Sequence, residues 1–241
     1  IAQEEYPSLD IEEYLNALDT MADEIRDRLP AQLYPLRVLQ SINHYLYEEL
    51  GFIGNRLDYY DPRNSFLNDV LERRMGIPIT LALVYLELAK RIDFPMVGIG
   101  MPGHFLIRPD FEEVGIYVDP FDRGEVMFPE DCQQRLEQIY NRPVELRSEF
   151  LQPVCARQFL ARMLSNLKGI YFSRQDVQKA LAAIDRILLL FPDLPTELRD
   201  RGVLFYYLGQ KIAARQDLQR YLELSPHSAD VPEIKRILDE L

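Results

Sequence analysis

A histidine and an aspartate carry the sequence features best suited to chemistry: His104, in Met101-Pro102-Gly103-His104, and Asp119, fifteen residues later in an Asp-Pro context. An imidazole whose second nitrogen is held by a carboxylate can act as a general acid or base, or orient a bound group. Such a base needs a nucleophile, and the chain offers few. The nearest hydroxyls in sequence are Thr80 and Ser65, and a hydroxyl needs a strong base beside it before it attacks anything. The two cysteines, Cys132 and Cys155, have no metal-ligand spacing and lie after both residues, so using either one requires the chain to fold back. His44 and His227 stand alone, without the spacing of a metal site, and are read as surface or cap residues. No metal and no cofactor is expected.

Positioning falls to the stretch from Arg73 to Phe121. Pro78 opens a helix, since a first-turn proline loses no hydrogen bond and already has helical φ. Apolar residues then occupy nearly every face as far as about Ile92, the pattern of a helix buried inside a domain. After Asp93 the period shortens: Met96–Gly100, His104–Arg108 and Val114–Asp119 read as three short strands of an antiparallel sheet separated by Gly and Pro turns. Upstream, Asp10 caps a helix reaching Arg28, and a second helix runs from Tyr34 to Leu50, with Leu36, Leu39, Ile42, Leu46 and Leu50 inward and Gly51 as its stop. A loop follows, in which Tyr59 and Tyr60 can serve as anchors, and then a helix capped by Asn64 or Ser65. A helix over Pro129–Tyr140 completes the first domain, placed at residues 1–150.

The second domain, residues 151–241, repeats. Ala180 and Ala214, and likewise Pro192 and Pro226, stand thirty-four residues apart, the period of a tetratricopeptide repeat. The register extends to Leu164 with Leu198, Tyr171 with Phe205, and Ile184 with Leu218. Lys168 falls where the second repeat has Gly202. An amphipathic helix over Val231–Leu241 caps the end. Stacked helix pairs build a concave surface suited to a protein or peptide partner.

RRMGIPITLALVYLELA, PGHFLIR and DPF, followed by repeats containing Arg199-Asp200-Arg201-Gly202, resemble the SirB-type branch of the transglutaminase-like superfamily, over about residues 35–241. The resemblance implies an α+β fold: a transglutaminase-like (papain-like) core of helices on a small antiparallel sheet, then an all-α repeat segment. It also implies a Cys-His-Asp triad in which His104 and Asp119 match the family His and Asp. Ala82 matches the small residue four places after the nucleophile, which puts Pro78 where the Cys belongs. The expectation is therefore a degenerate site and a protein-interaction or regulatory module. The alternative is a cysteine-independent hydrolase or acyltransferase using His104 and Asp119 with water or Thr80. A third reading is a purely structural subunit, and His104 with Asp119 is then a hydrogen-bonded remnant.

Composition narrows the setting. A net charge of −12 repels nucleic acids and anionic membranes, and Arg73–Arg74 is an isolated basic pair. No run of about 18 apolar residues appears. Cytoplasm is the default expectation, with the chain, which begins at Ile1, read as trimmed.

Overall fold

The computed structural model describes residues 1–110 and 115–241, so Val114, at the start of the expected third strand, lies outside the described residues. Its contacts divide the chain into two compact units, Ile1–Phe159 and Leu160–Leu241.

The first unit is built around one helix. After a single turn, α1 (Ala2–Glu5), α2 (Ile11–Arg26) starts where the Asp10 carboxylate accepts the Glu12 N–H at 3.0 Å. Its apolar spacing buries Leu18, Ala22 and Ile25. α3 (Pro35–Asn43) buries Val38, Leu39 and Ile42, while Leu36, expected inward, is exposed. The helix expected to run straight to Leu50 changes pitch instead. His44–Glu49 form a π turn in which the Leu50 N–H reaches back to the Tyr45 carbonyl at 3.0 Å, and Gly51 (φ 75°) then ends it.

Neither Asn64 nor Ser65 caps the next helix. They close a 3-10 turn (Pro62–Ser65), and α4 (Leu67–Arg73) begins after Phe66 and ends at Arg74 in the left-handed conformation. Two short strands, β1 (Ile53–Gly54) and β2 (Met75–Gly76), pair in parallel. α5 (Pro78–Arg91) is the central helix. It buries Pro78 through Ala82 as well as Val84, Tyr85, Leu88 and Ala89, and packs against α2, α4, β2 and the sheet. Its burial on nearly every face and the proline at its first turn agree with what the sequence predicts.

The sheet is antiparallel with order β3 (Met96–Ile99), β4 (Leu106–Pro109), β5 (Tyr117–Asp119), β6 (Glu125–Met127). β6 has no sequence signature, because three residues hold too little alternation to set a period. α6 (Pro129–Tyr140) follows at the bounds the sequence predicts and returns to the sheet. Its Cys132 and Leu136 complete an apolar cluster with Ile99, Met101, Leu106 and Met127.

The second unit, which the chain enters within α7 (Ala156–Ser173), is helical and continues with α8 (Val177–Leu190), α9 (Pro195–Tyr207), α10 (Lys211–Leu224) and α11 (Val231–Glu240). The 34-residue register is visible as burial: Ala180, Ala214, Ile184 and Leu218 are all fully buried. A Cβ on Gly202 would lie 2.7 Å from the Leu218 side chain, so α9 and α10 approach too closely there for anything larger. At the aligned place in the first repeat, Lys168 Nζ bonds Glu197 at 2.7 Å and Asp200 at 3.0 Å. Among the described residues, no helix is long and apolar enough to cross a membrane.

Candidate functional site

His104 stands just ahead of β4 and not on it. Its N–H donates to the Met101 carbonyl at 3.1 Å in a turn that Gly103 (φ 73°) makes possible. Asp119 ends β5, and Pro120 turns the chain directly afterwards. The sheet register brings the two residues together, with His104 Nε2 2.7 Å from Asp119 Oδ2 and Asp119 fully buried. The other carboxylate oxygen accepts the Phe121 and Asp122 N–H groups at 3.0 and 3.3 Å. Burial pushes the Asp119 pKa up, but the His104 hydrogen bond and charge, the Arg135 charge and the Phe121 N–H outweigh it, leaving the carboxyl below the usual range. An ionised Asp119 makes Nε2 the proton-bearing nitrogen, so a neutral His104 ring has Nδ1 as its acceptor, the tautomer a general base requires.

Arg135 lies in no motif that the sequence marks out. From α6 its guanidinium donates to Asp119 Oδ2 at 2.9 Å, to Glu125 at 2.6 Å and to Asp122 at 3.3 Å. These three carboxylates lie within 4.8 Å of one another, a spacing that suits a cation, and the Arg135 guanidinium pairs with all three. One available signal is that Arg135 lies between Cys132 and Leu136 at helical spacing, on the face of α6 that turns inward. The fold-back that the sequence reading said Cys132 would need does occur: α6 returns to the sheet, bringing a guanidinium to Asp119.

The thiol on the same helix is inert. Cys132 is fully buried among apolar side chains, and burial, reinforced by Asp131, pushes its pKa up to about 12. Cys155 is exposed.

Thr80 is committed elsewhere. Its buried hydroxyl donates to the Asn64 carbonyl at 2.6 Å and accepts the Ile77 N–H at 3.1 Å, one turn into the helix that Pro78 begins. Asn64 is itself tied to Asn55 at 3.1 Å and to the Asp58 carbonyl at 2.8 Å, so a buried amide pair joins the loop to the start of α5. Ser65 is buried too, and its hydroxyl has no hydrogen-bond partner among the described residues. Phe121 joins the loop to the histidine. Its ring meets His104 and Tyr59 edge-on, each at 6.1 Å, with the Arg56 guanidinium 4.9 Å from its centroid. Gly54 is required at this point, because a Cβ there would lie 2.6 Å from the Phe121 ring. Tyr60, in contrast, is exposed, and His44 and His227 lie at the surface.

Residues 12–165 match the transglutaminase-like superfamily model, and residues 167–239 match a tetratricopeptide-repeat model. A UPF0162 protein of Xylella fastidiosa (strain 9a5c) is 37% identical over 245 residues, covering 100% of this chain and 87% of its own. A UPF0162 protein of Pseudomonas aeruginosa is 30% identical over 242 residues, covering 100% of this chain and 88% of its own. F-box only protein 21 of Mus musculus is 31% identical over 184 residues, covering 72% of this chain and 28% of its own. With residues 12–165 matched to that superfamily, residues 167–239 matched to a tetratricopeptide repeat and UPF0162 relatives similar over the whole of this chain, the chain belongs to the transglutaminase-like superfamily, as a SirB-type member with tetratricopeptide repeats.

Proposed function

We propose that this protein is a non-catalytic member of its superfamily, acting as a protein-interaction or regulatory module through its repeats and a degenerate site. The observation that carries the reading is Pro78, which opens the central helix at the position that aligns with the family nucleophile. Proline there keeps the helix start and supplies no attacking atom. The substitutes are poor: Thr80 is bonded to backbone on both sides and the Cys132 thiol stays protonated. Tetratricopeptide repeats are a protein-binding architecture, and the similar stretch in F-box only protein 21 sits within a much longer chain, as a module would. The partner is a protein or peptide and not nucleic acid or membrane, with the cytoplasm as its setting.

A cysteine-independent hydrolase or acyltransferase is the competing reading, favoured by the buried His104–Asp119 pair with Arg135 behind it. The test is amine incorporation and amide hydrolysis by the full chain, beside His104→Ala. The expected result is no turnover above blank in either protein. Turnover that disappears in His104→Ala overturns the proposal.

A further inference from the structure

The repeat unit contains a cleft of ≈ 360 Å³, near the lower end of the roughly 300–1,000 Å³ range of ligand pockets. Only α7, α9, α11 and the residue before α11 line it, so it lies along the first helix of each repeat and the capping helix. Its walls combine two characters. Val203, Ile234 and Ile237 supply an apolar floor, and the rings of Phe172 and Tyr207 stand beside them, Tyr207 77% exposed.

The charged lining is unbalanced. It holds Asp200, Asp230 and Glu233 against the single cation Arg199. Arg199 is already spent, bonding Asp200 at 2.8 Å and Asp230 at 3.0 Å. The neighbouring Lys168 bonds both Glu197 and Asp200, so Asp200 is held by two cations and Glu233 is the acid left open to a ligand. Glu233 is exposed and has no side-chain partner among the described residues. Acid beside open aromatic rings is the surface that a Lys or Arg side chain meets best, through an ion pair and a cation–π contact together. The same acid repels phosphate-bearing ligands.

We propose that this cleft binds a partner protein through a basic segment with an apolar anchor: one aliphatic or aromatic side chain on the Val203–Ile234–Ile237 floor, with flanking Lys or Arg against Glu233 and Tyr207. The inference rests on reading the repeats as protein-binding, and adds the chemistry of what they bind.

The test uses the full chain and three fluorescein-labelled twelve-residue peptides in fluorescence anisotropy at physiological salt. One alternates Lys with Leu, one replaces every Lys by Glu, and one replaces every Leu by Ser. The Lys/Leu peptide binds; Glu233→Lys weakens its Kd about tenfold or more, and Tyr207→Ala about fivefold. Asp239→Lys makes the same charge change at an exposed site on α11 outside the cleft, and leaves Kd within about twofold. Circular dichroism checks that each variant is folded. Equal weakening by Asp239→Lys, or equal binding of the Lys/Ser peptide, overturns the proposal by showing attraction to net charge alone. If the Glu/Leu peptide binds and Tyr207→Ala abolishes that binding, the groove reading survives and the basic chemistry falls. If none of the three binds, both fall.

Discussion

Asp119 accepts from His104, from Arg135 and from two backbone N–H groups, with no exposure to water. Replacing it with Asn removes the buried charge that His104 and Arg135 share, while Arg135 keeps Asp122 and Glu125, so the expected loss is that of a buried charged hydrogen bond, about 1.5–3 kcal/mol. Urea denaturation at pH 7 reads that loss. Because the folded carboxyl titrates below its unfolded value of about 3.9, its contribution is complete above that pH and is lost as pH falls through the lowered native value. The stability gap between wild type and Asp119→Asn therefore narrows below about pH 4, and a gap that stays constant down to the acid transition contradicts the assignment.

At the level of elements, Thr80 carries more than its size suggests, capping α5 and holding the Asn64 carbonyl. Thr80→Val keeps the shape and orphans both backbone groups, for an expected loss of about 1–3 kcal/mol, whereas Thr80→Ser retains most of the stability; both are read by urea midpoints. In the repeats, Gly202→Val drives methyl groups into Leu218 and Asp217 and is expected to cost about 1–3 kcal/mol, measured as a lowered thermal midpoint. The elements legible in the sequence are those long enough to express a period: α2, α5, α6 and the repeat helices. The two-residue strands β1 and β2 and the three-residue β6 are set by neighbours and leave no local trace. Likewise, the π turn after α3 is a choice of hydrogen-bond partner, which side-chain pattern alone does not record.

Across the whole molecule, the half of the site carried by His104 and Asp119 was readable because each sits in a short motif beside a turn. Arg135, Phe121 and the Asn55–Asn64 pair were not, because they matter only once the sheet, the loop and α6 converge. Net charge acts at this scale as well. At −12 the chain attracts basic partners from a distance, so association with the Lys/Leu peptide is expected to slow as salt rises while dissociation changes less, which stopped-flow anisotropy separates. The π turn has a final consequence, in the arithmetic of chain length. It accommodates one residue more than an α-helix between the same ends, and that residue sets where Tyr47 points, with its hydroxyl on the Pro120 carbonyl at 3.0 Å beside Asp119. Removing that residue leaves an α-helical turn between the same ends and takes Tyr47 out of register with the Pro120 carbonyl. A single deletion here, in a turn remote in sequence from the histidine that buries Tyr45, Leu46 and Tyr47, is thus a mutation of the site, whereas most substitutions at the exposed His44 or Glu48 are not.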